Sequence, residues 1–134
     1  MNTLKTRLSL ALLVLVLASL ACGGSFSTAN IANAYTTANP DGGSPTTVFS
    51  QDQTFYLIVE QANAPDDTSL KAVWTAVDIE GADPNTLIDE VAFTGGDSVV
   101  TFNLSNNGPW PLGRYKVDLY MNDTLDRTIE FEVR

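Results

Sequence analysis

Apolar and polar residues alternate with period two along much of the chain, which is the signature of strands with one buried face. After Gly113, Tyr115, Val117 and Leu119 point one way, and Lys116, Asp118 and Tyr120 the other. A short turn, Met121-Asn122-Asp123-Thr124, leads to a returning strand over Leu125–Val133. Thr54–Gln61 repeats the pattern with Phe55, Leu57 and Val59 on one face. Leu70–Glu80 places Ala72, Trp74 and Ala76 together, and the small residues beside the indole predict a ring lying across the core. Ser98–Ser105 directs Val100, Phe102 and Leu104 inward. Leu87–Thr94 reads as a strand, with a helical turn over 84–88 as the alternative. Ile31–Asn39 reads as a first strand, with Ala32, Ala34 and Thr36 sharing a side, and Thr46–Phe49 as a short extended piece.

Turn formers separate these segments: Pro40 to Pro45, Ala62 to Thr68, Gly81 to Asn85, Gly95 to Asp97 and Asn106 to Pro109. About seven or eight short strands with turns every 8–12 residues predict an all-β sandwich. The predicted core is Phe55, Leu57, Val59, Trp74, Val100, Phe102, Leu104, Tyr115, Val117, Leu119, Ile129, Phe131 and Val133. Val73-Trp74, the stretch Trp110-Pro-Leu-Gly-Arg-Tyr115 and the closing Thr128-Ile-Glu-Phe-Glu-Val133 carry a resemblance. Together they resemble small immunoglobulin-like domains of bacterial cell-surface proteins, over roughly Thr46 to Arg134. The resemblance implies a Greek-key sandwich whose terminal hairpin is entered through a tyrosine-bearing corner. It implies little about activity, because such markers are shared among many functions.

The first residues follow a different pattern. Lys5 and Arg7 precede an apolar run from Leu8 to Leu17, and small residues then lead to Cys22. That is the layout of an export signal, and the run is shorter than the roughly 20 residues a membrane span needs. Ser19-Leu20-Ala21-Cys22 resembles the lipobox of bacterial lipoproteins, with Ser19 and Leu20 in reverse of the usual order. The resemblance implies cleavage before Cys22, a diacylglyceryl group on its thiol and stable anchoring to a membrane. The alternative is an ordinary signal peptide with an incidental cysteine. The expected organisation is a signal peptide over 1–21, a flexible Gly- and Ser-rich tether over 22–32 and the sandwich over 33–134. The expected location is the bacterial cell envelope, outside the cytoplasm.

Composition narrows the chemistry. The chain has 134 residues, 16 acidic and 7 basic, for a net charge of −9. Loss of Lys5 and Arg7 with the signal would take the charge to −11. Such charge argues against nucleic acid, whose phosphates call for basic patches. There is no His, and Cys22 is the one cysteine, so neither a His base nor an intrachain disulfide is available. A Ser or Thr nucleophile would lack its usual partner. A carboxylate pair drawn from Asp78, Glu80, Asp89 and Glu90 remains as an alternative, and solvated strand edges are the ordinary reading of those residues.

No cofactor and no metal site are expected. Calcium is the one ion to weigh, because Asp66, Asp67, Asp78, Glu80 and Asp83 could converge at one end of a sandwich. Trp110 has two readings: an exposed aromatic that stacks on a sugar or docks a partner, and a plug that closes one end of the core. The plug is the favoured one. Asn103-Leu-Ser and Asn122-Asp-Thr match glycosylation sequons, read as chance in a bacterial lipoprotein.

The favoured function is a non-catalytic display domain that binds an envelope protein or glycan, with Trp110, Asp66 and Asp67 as candidate contacts. A small carboxylate-dependent hydrolase is one alternative. A protease-inhibitor-like domain using 81–86 or 106–112 as its loop is another.

Overall fold

The computed structural model describes residues 28–134. Eight strands form in chain order: β1 (Asn30–Thr37), β2 (Val48–Phe49), β3 (Phe55–Ala62), β4 (Ser69–Ile79), β5 (Thr86–Thr94), β6 (Val99–Leu104), β7 (Gly113–Met121) and β8 (Thr124–Val133). They make two facing sheets, one in the order β1-β3-β6 and the other β2-β8-β7-β4-β5. Only β4–β5 and β7–β8 are sequential neighbours in a sheet; every other connection crosses the sandwich. All ladders are antiparallel except the short β2–β8 pairing.

Alternation explains the core. Phe55, Leu57 and Val59 of β3 and Val100, Phe102 and Leu104 of β6 face Ala72 and Trp74 of β4 and Val117 and Leu119 of β7. Burying one face of each sheet is the main stabilising term. Of the predicted core, Ile129 alone is only half-buried, packed against the core's edge. Leu70, Phe49, Ile31, Trp110 and Met121 join it.

β1 begins at Asn30, so Asn30 to Ala32 belong to the sandwich and not to the tether that composition assigned them to. A bulge between Ile31 and Asn33 resets the alternation. Ile31 is thereby buried and Ala32 left exposed, the reverse of the simple period-two expectation for Ala32. Over 84–88 the chain forms no helical turn: β5 starts at Thr86, after a turn in which Asn85 takes φ 57° and donates its N–H to the Val77 carbonyl at 3.0 Å.

Two features mark the fold as immunoglobulin-like. Trp74 lies fully buried on β4 between the sheets. Tyr115, at the start of β7, donates its O–H to the Pro111 carbonyl four residues upstream at 2.6 Å, the tyrosine corner of such sandwiches. Gly113 makes the corner possible: its φ is +141°, and a Cβ there would sit 2.2 Å from the Asp78 carbonyl oxygen.

Candidate functional site

The two ends of the sandwich differ. Ile79, Gly113 and Val133 share one end with Phe55 and Leu104. Leu70, Met121 and Thr124 lie at the other, where β1 begins.

Rings close the first end. Trp110 is buried and stacks on Phe55 with centroids 4.5 Å apart. Its indole N–H donates to the Gln53 carbonyl at 2.9 Å, and its backbone N–H to the Gln51 carbonyl at 2.8 Å. The Gln51 amide donates back to the Trp110 carbonyl at 2.9 Å. The exposed-aromatic reading of Trp110 is therefore corrected: its face is covered by Phe55 and its polar atom is taken, so it offers no surface to a ligand. The same insertion ties back the 106–112 loop, which the inhibitor alternative needs as a projecting segment.

The proposed calcium set does not converge. Asp66 and Asp67 lie in the loop between β3 and β4, at the end where β1 begins. Asp78, Glu80 and Asp83 lie at the far end of β4 and in the hairpin beyond it. Most of β4, the nine residues from Ser69 to Val77, separates Asp67 from Asp78, which is roughly 30 Å at a strand's rise per residue. Among the described residues no cluster of three acidic side chains is close enough to share an ion. Asp66 instead lies against Gly96, and Asp97 accepts the Ala64 N–H at 2.6 Å, so these acids join two loops. Asp97 was missed as a partner for this loop; the Gly-Gly-Asp turn holding it gave only a turn signal.

The carboxylates weighed for catalysis are spread as well. Asp78 faces Arg114 at 3.7 Å and Glu90 faces Lys71 at 3.3 Å, all on the surface. Asp89 and Glu90 are consecutive strand residues, so their side chains leave opposite faces of the sheet. A different pair shares a concavity: Glu130 and Glu132 line an open groove of about 200 Å³ with Thr47, Val77 and Arg114. Arg134 lies 3.3 Å from Glu132, an exposed ion pair at the mouth of the groove. Their alternation with Ile129, Phe131 and Val133 was the only signal in the sequence, and it said that they face outward. Burial pushes the Tyr115 phenol up to about 12. Its O–H is engaged in the corner, and its ring lines the same groove as Glu130 and Glu132. Cys22 lies outside the described residues.

The fold and these surfaces define an immunoglobulin-like β-sandwich. An immunoglobulin-like protein from Pseudomonas aeruginosa superposes with a TM-score of 0.55 at 14% identity, covering 83% of this chain and all of that one. An alkylpurine DNA glycosylase from Pseudomonas fluorescens, bound to DNA containing an abasic-site analogue, matches with a TM-score of 0.51 at 15% identity. That match covers 81% of this chain and 31% of the glycosylase, so this chain spans about a third of that protein's length. At these identities the likeness is one of fold. No protein-family description matches the chain, and no curated protein does.

Proposed function

We propose that this chain is a membrane-anchored envelope lipoprotein that displays a non-catalytic immunoglobulin-like binding domain. The observation that carries the reading is the pairing of a signal-like N-terminus ending in Ala21-Cys22 with a sandwich that begins at Asn30. Seven residues separate Cys22 from Asn30, and a Gly- and Ser-rich tether of that length would reach roughly 15 Å, enough to hold the domain just above the headgroups.

The described residues contain 16 acids and 5 bases, for a charge of −11, which repels anionic lipid and favours a domain standing off the surface. A lipid at Cys22 would turn the end carrying Asp66, Asp67 and Asp97 toward the membrane. The ring-closed end and the β4–β5 hairpin would then face outward. Absence of any His, and carboxylates that are dispersed or ion-paired, favour contact chemistry over bond-making.

The test is fractionation of Cys22→Ser beside the unaltered chain. The expected result is a domain that leaves the membrane fraction or accumulates unprocessed. A Cys22→Ser protein cleaved normally and still held by membranes after a high-salt wash overturns the anchor. Hydrolysis of a glycan, ester or peptide that is lost on Glu130→Gln or Glu132→Gln overturns the non-catalytic half and favours the hydrolase alternative.

A further inference from the structure

The two sheets leave open edges, and most of them are protected. Unpaired strand edges invite pairing with another chain, and natural sandwiches blunt them by shortness, bulges, prolines, lysines or cover. β2 has two residues. β1 is bulged, and Arg127 of β8 donates to the Ile31 carbonyl at 3.1 Å, bridging the seam beside it. β6 has six residues; Val100, Phe102 and Leu104 are buried, and Val99 at its start is exposed, so shortness is what limits this edge.

β5 is bulged as β1 is, but it is the longest of the four edge strands and the one with no buried side chain. It has nine residues, pairs with β4 alone, and not one of its side chains is fully buried. Leu87 is 59% and Val91 36% exposed. The strand contains no Lys, Arg or Pro. A single bulge near Ile88 is its only backbone irregularity.

Its charge says what would fit. Asp89 and Glu90 stand near the middle of the strand. Glu90 is paired with Lys71 at 3.3 Å, whose ammonium also lies 4.8 Å from the Tyr120 ring. Asp89 Oδ1 accepts the Glu90 N–H at 2.9 Å, so an incoming base meets Asp89 directly and shares Glu90 with Lys71. A second copy of the chain would bring a domain of charge −11 against another, with two pairs of acids at the join. A cationic strand meets no such repulsion.

On the reading that this is a binding domain, we infer that the free edge of β5 accepts a basic, extended segment of a partner protein as a sixth strand of the β2-β8-β7-β4-β5 sheet. Main-chain hydrogen bonds supply the affinity of such strand addition, and side-chain complementarity supplies the choice. The complementary segment carries two adjacent bases opposite Asp89 and Glu90, flanked by apolar or β-branched residues opposite Leu87 and Val91. In such a strand consecutive bases emerge on opposite faces, as the two acids do.

Hydrogen exchange read by mass spectrometry on the full chain in detergent tests this. The probe is a short capped peptide of valines and threonines with two adjacent lysines at its centre. The expected result is slower exchange over Thr86–Thr94, with loops elsewhere unchanged. The same peptide methylated on alternate backbone amides, and the version with glutamates for lysines, should both fail to protect. Asp89→Lys should weaken protection by the lysine peptide about tenfold or more, and because Asp89 is exposed the variant should exchange normally elsewhere.

Protection on another segment, equal protection by the glutamate peptide, or none with the lysine peptide overturns the proposal. Protection of β5 that grows with protein concentration in the absence of peptide assigns the edge to a second copy and overturns it too. In each of those outcomes a binding function elsewhere on the domain still stands. Only the activity result described above removes that reading.

Discussion

The ring-closed end of the sandwich and the β5 flank are built on opposite terms. At the closed end Phe55 meets Phe49, Trp110, Tyr115 and Phe131 with centroid separations of 4.5 to 5.6 Å. Tyr115 in turn stacks on Phe131 at 5.5 Å. Every polar atom that those rings carry has a partner, Gln53 for Trp110 and Pro111 for Tyr115. On β5 most side chains are exposed, Ile88 and Phe93 packing half-buried against the core's edge, and one backbone edge is unpaired. The domain has no disulfide to staple it. Its stability is therefore concentrated where rings overlap, and that concentration leaves a flank whose exposed residues, Leu87, Asp89 and Val91 among them, contribute little to folding.

The largest effect that would test this contrast is at the closed end. Trp110→Ala should cost about 3–5 kcal/mol, because it removes a buried ring and leaves a cavity beside Phe55. That is a large part of the ~5–15 kcal/mol typical of a domain. Urea unfolding followed by circular dichroism measures it. A loss under about 1 kcal/mol would mean that the indole is a cover and not a keystone.

A middle-sized effect belongs to the corner. Tyr115→Phe keeps the ring and loses the bond to Pro111, at a cost of about 1–2 kcal/mol. The phenol also makes the corner alkali-sensitive. Its folded value of about 12 lies above the ordinary 10.0, so the folded chain holds this proton more tightly than the unfolded chain. The stabilisation is complete below about pH 10 and is lost as pH rises towards 12. Unfolding midpoints taken across that window should fall more steeply for the unaltered protein than for Tyr115→Phe. Equal slopes would show that other groups govern the alkaline limit.

The strands were legible in the sequence for a physical reason. Wherever one face is buried, period two has to be written into the residues, as in β3, β6 and β7. The tyrosine-bearing corner was legible too, from Tyr115 at the head of an alternating strand, whereas the close approach of Asp78 to Gly113 depends on how β4 pairs with β7. What stayed hidden depended on register or on topology. The bulge in β1 moved Ile31 inward without altering composition. Trp110 sits between prolines, and local sequence does not say whether its ring turns in or out; Phe55, 55 positions earlier, decides that. Asp66 and Asp78 look like neighbours in a list of acids, yet β4 holds them at opposite ends. β5 gave a weak signal: Leu87-Ile88-Asp89-Glu90-Val91-Ala92-Phe93 does not alternate cleanly, as expected of a strand with no single buried face. That it lies at an edge could be known only once the sheet order was.

The smallest effect sharpens the contrast most. Leu87→Thr and Val91→Thr replace exposed apolar side chains on a strand with residues that strands favour. Each should change stability by no more than about 0.5 kcal/mol, the range of surface substitutions. This sets them against Trp110→Ala by a factor of six or more, although all three remove an apolar group from a β protein. The pair should nevertheless weaken binding of the lysine probe peptide, since they strip the apolar contacts beside Asp89 and Glu90 while leaving the backbone edge intact. Isothermal titration of the double variant, beside its urea midpoint, separates the two roles. A double variant that binds the peptide unchanged would assign the interaction to charge and backbone alone. A double variant that loses more than about 2 kcal/mol of stability would show β5 to be part of the core's support, and the division between a stabilising end and a free flank would fail.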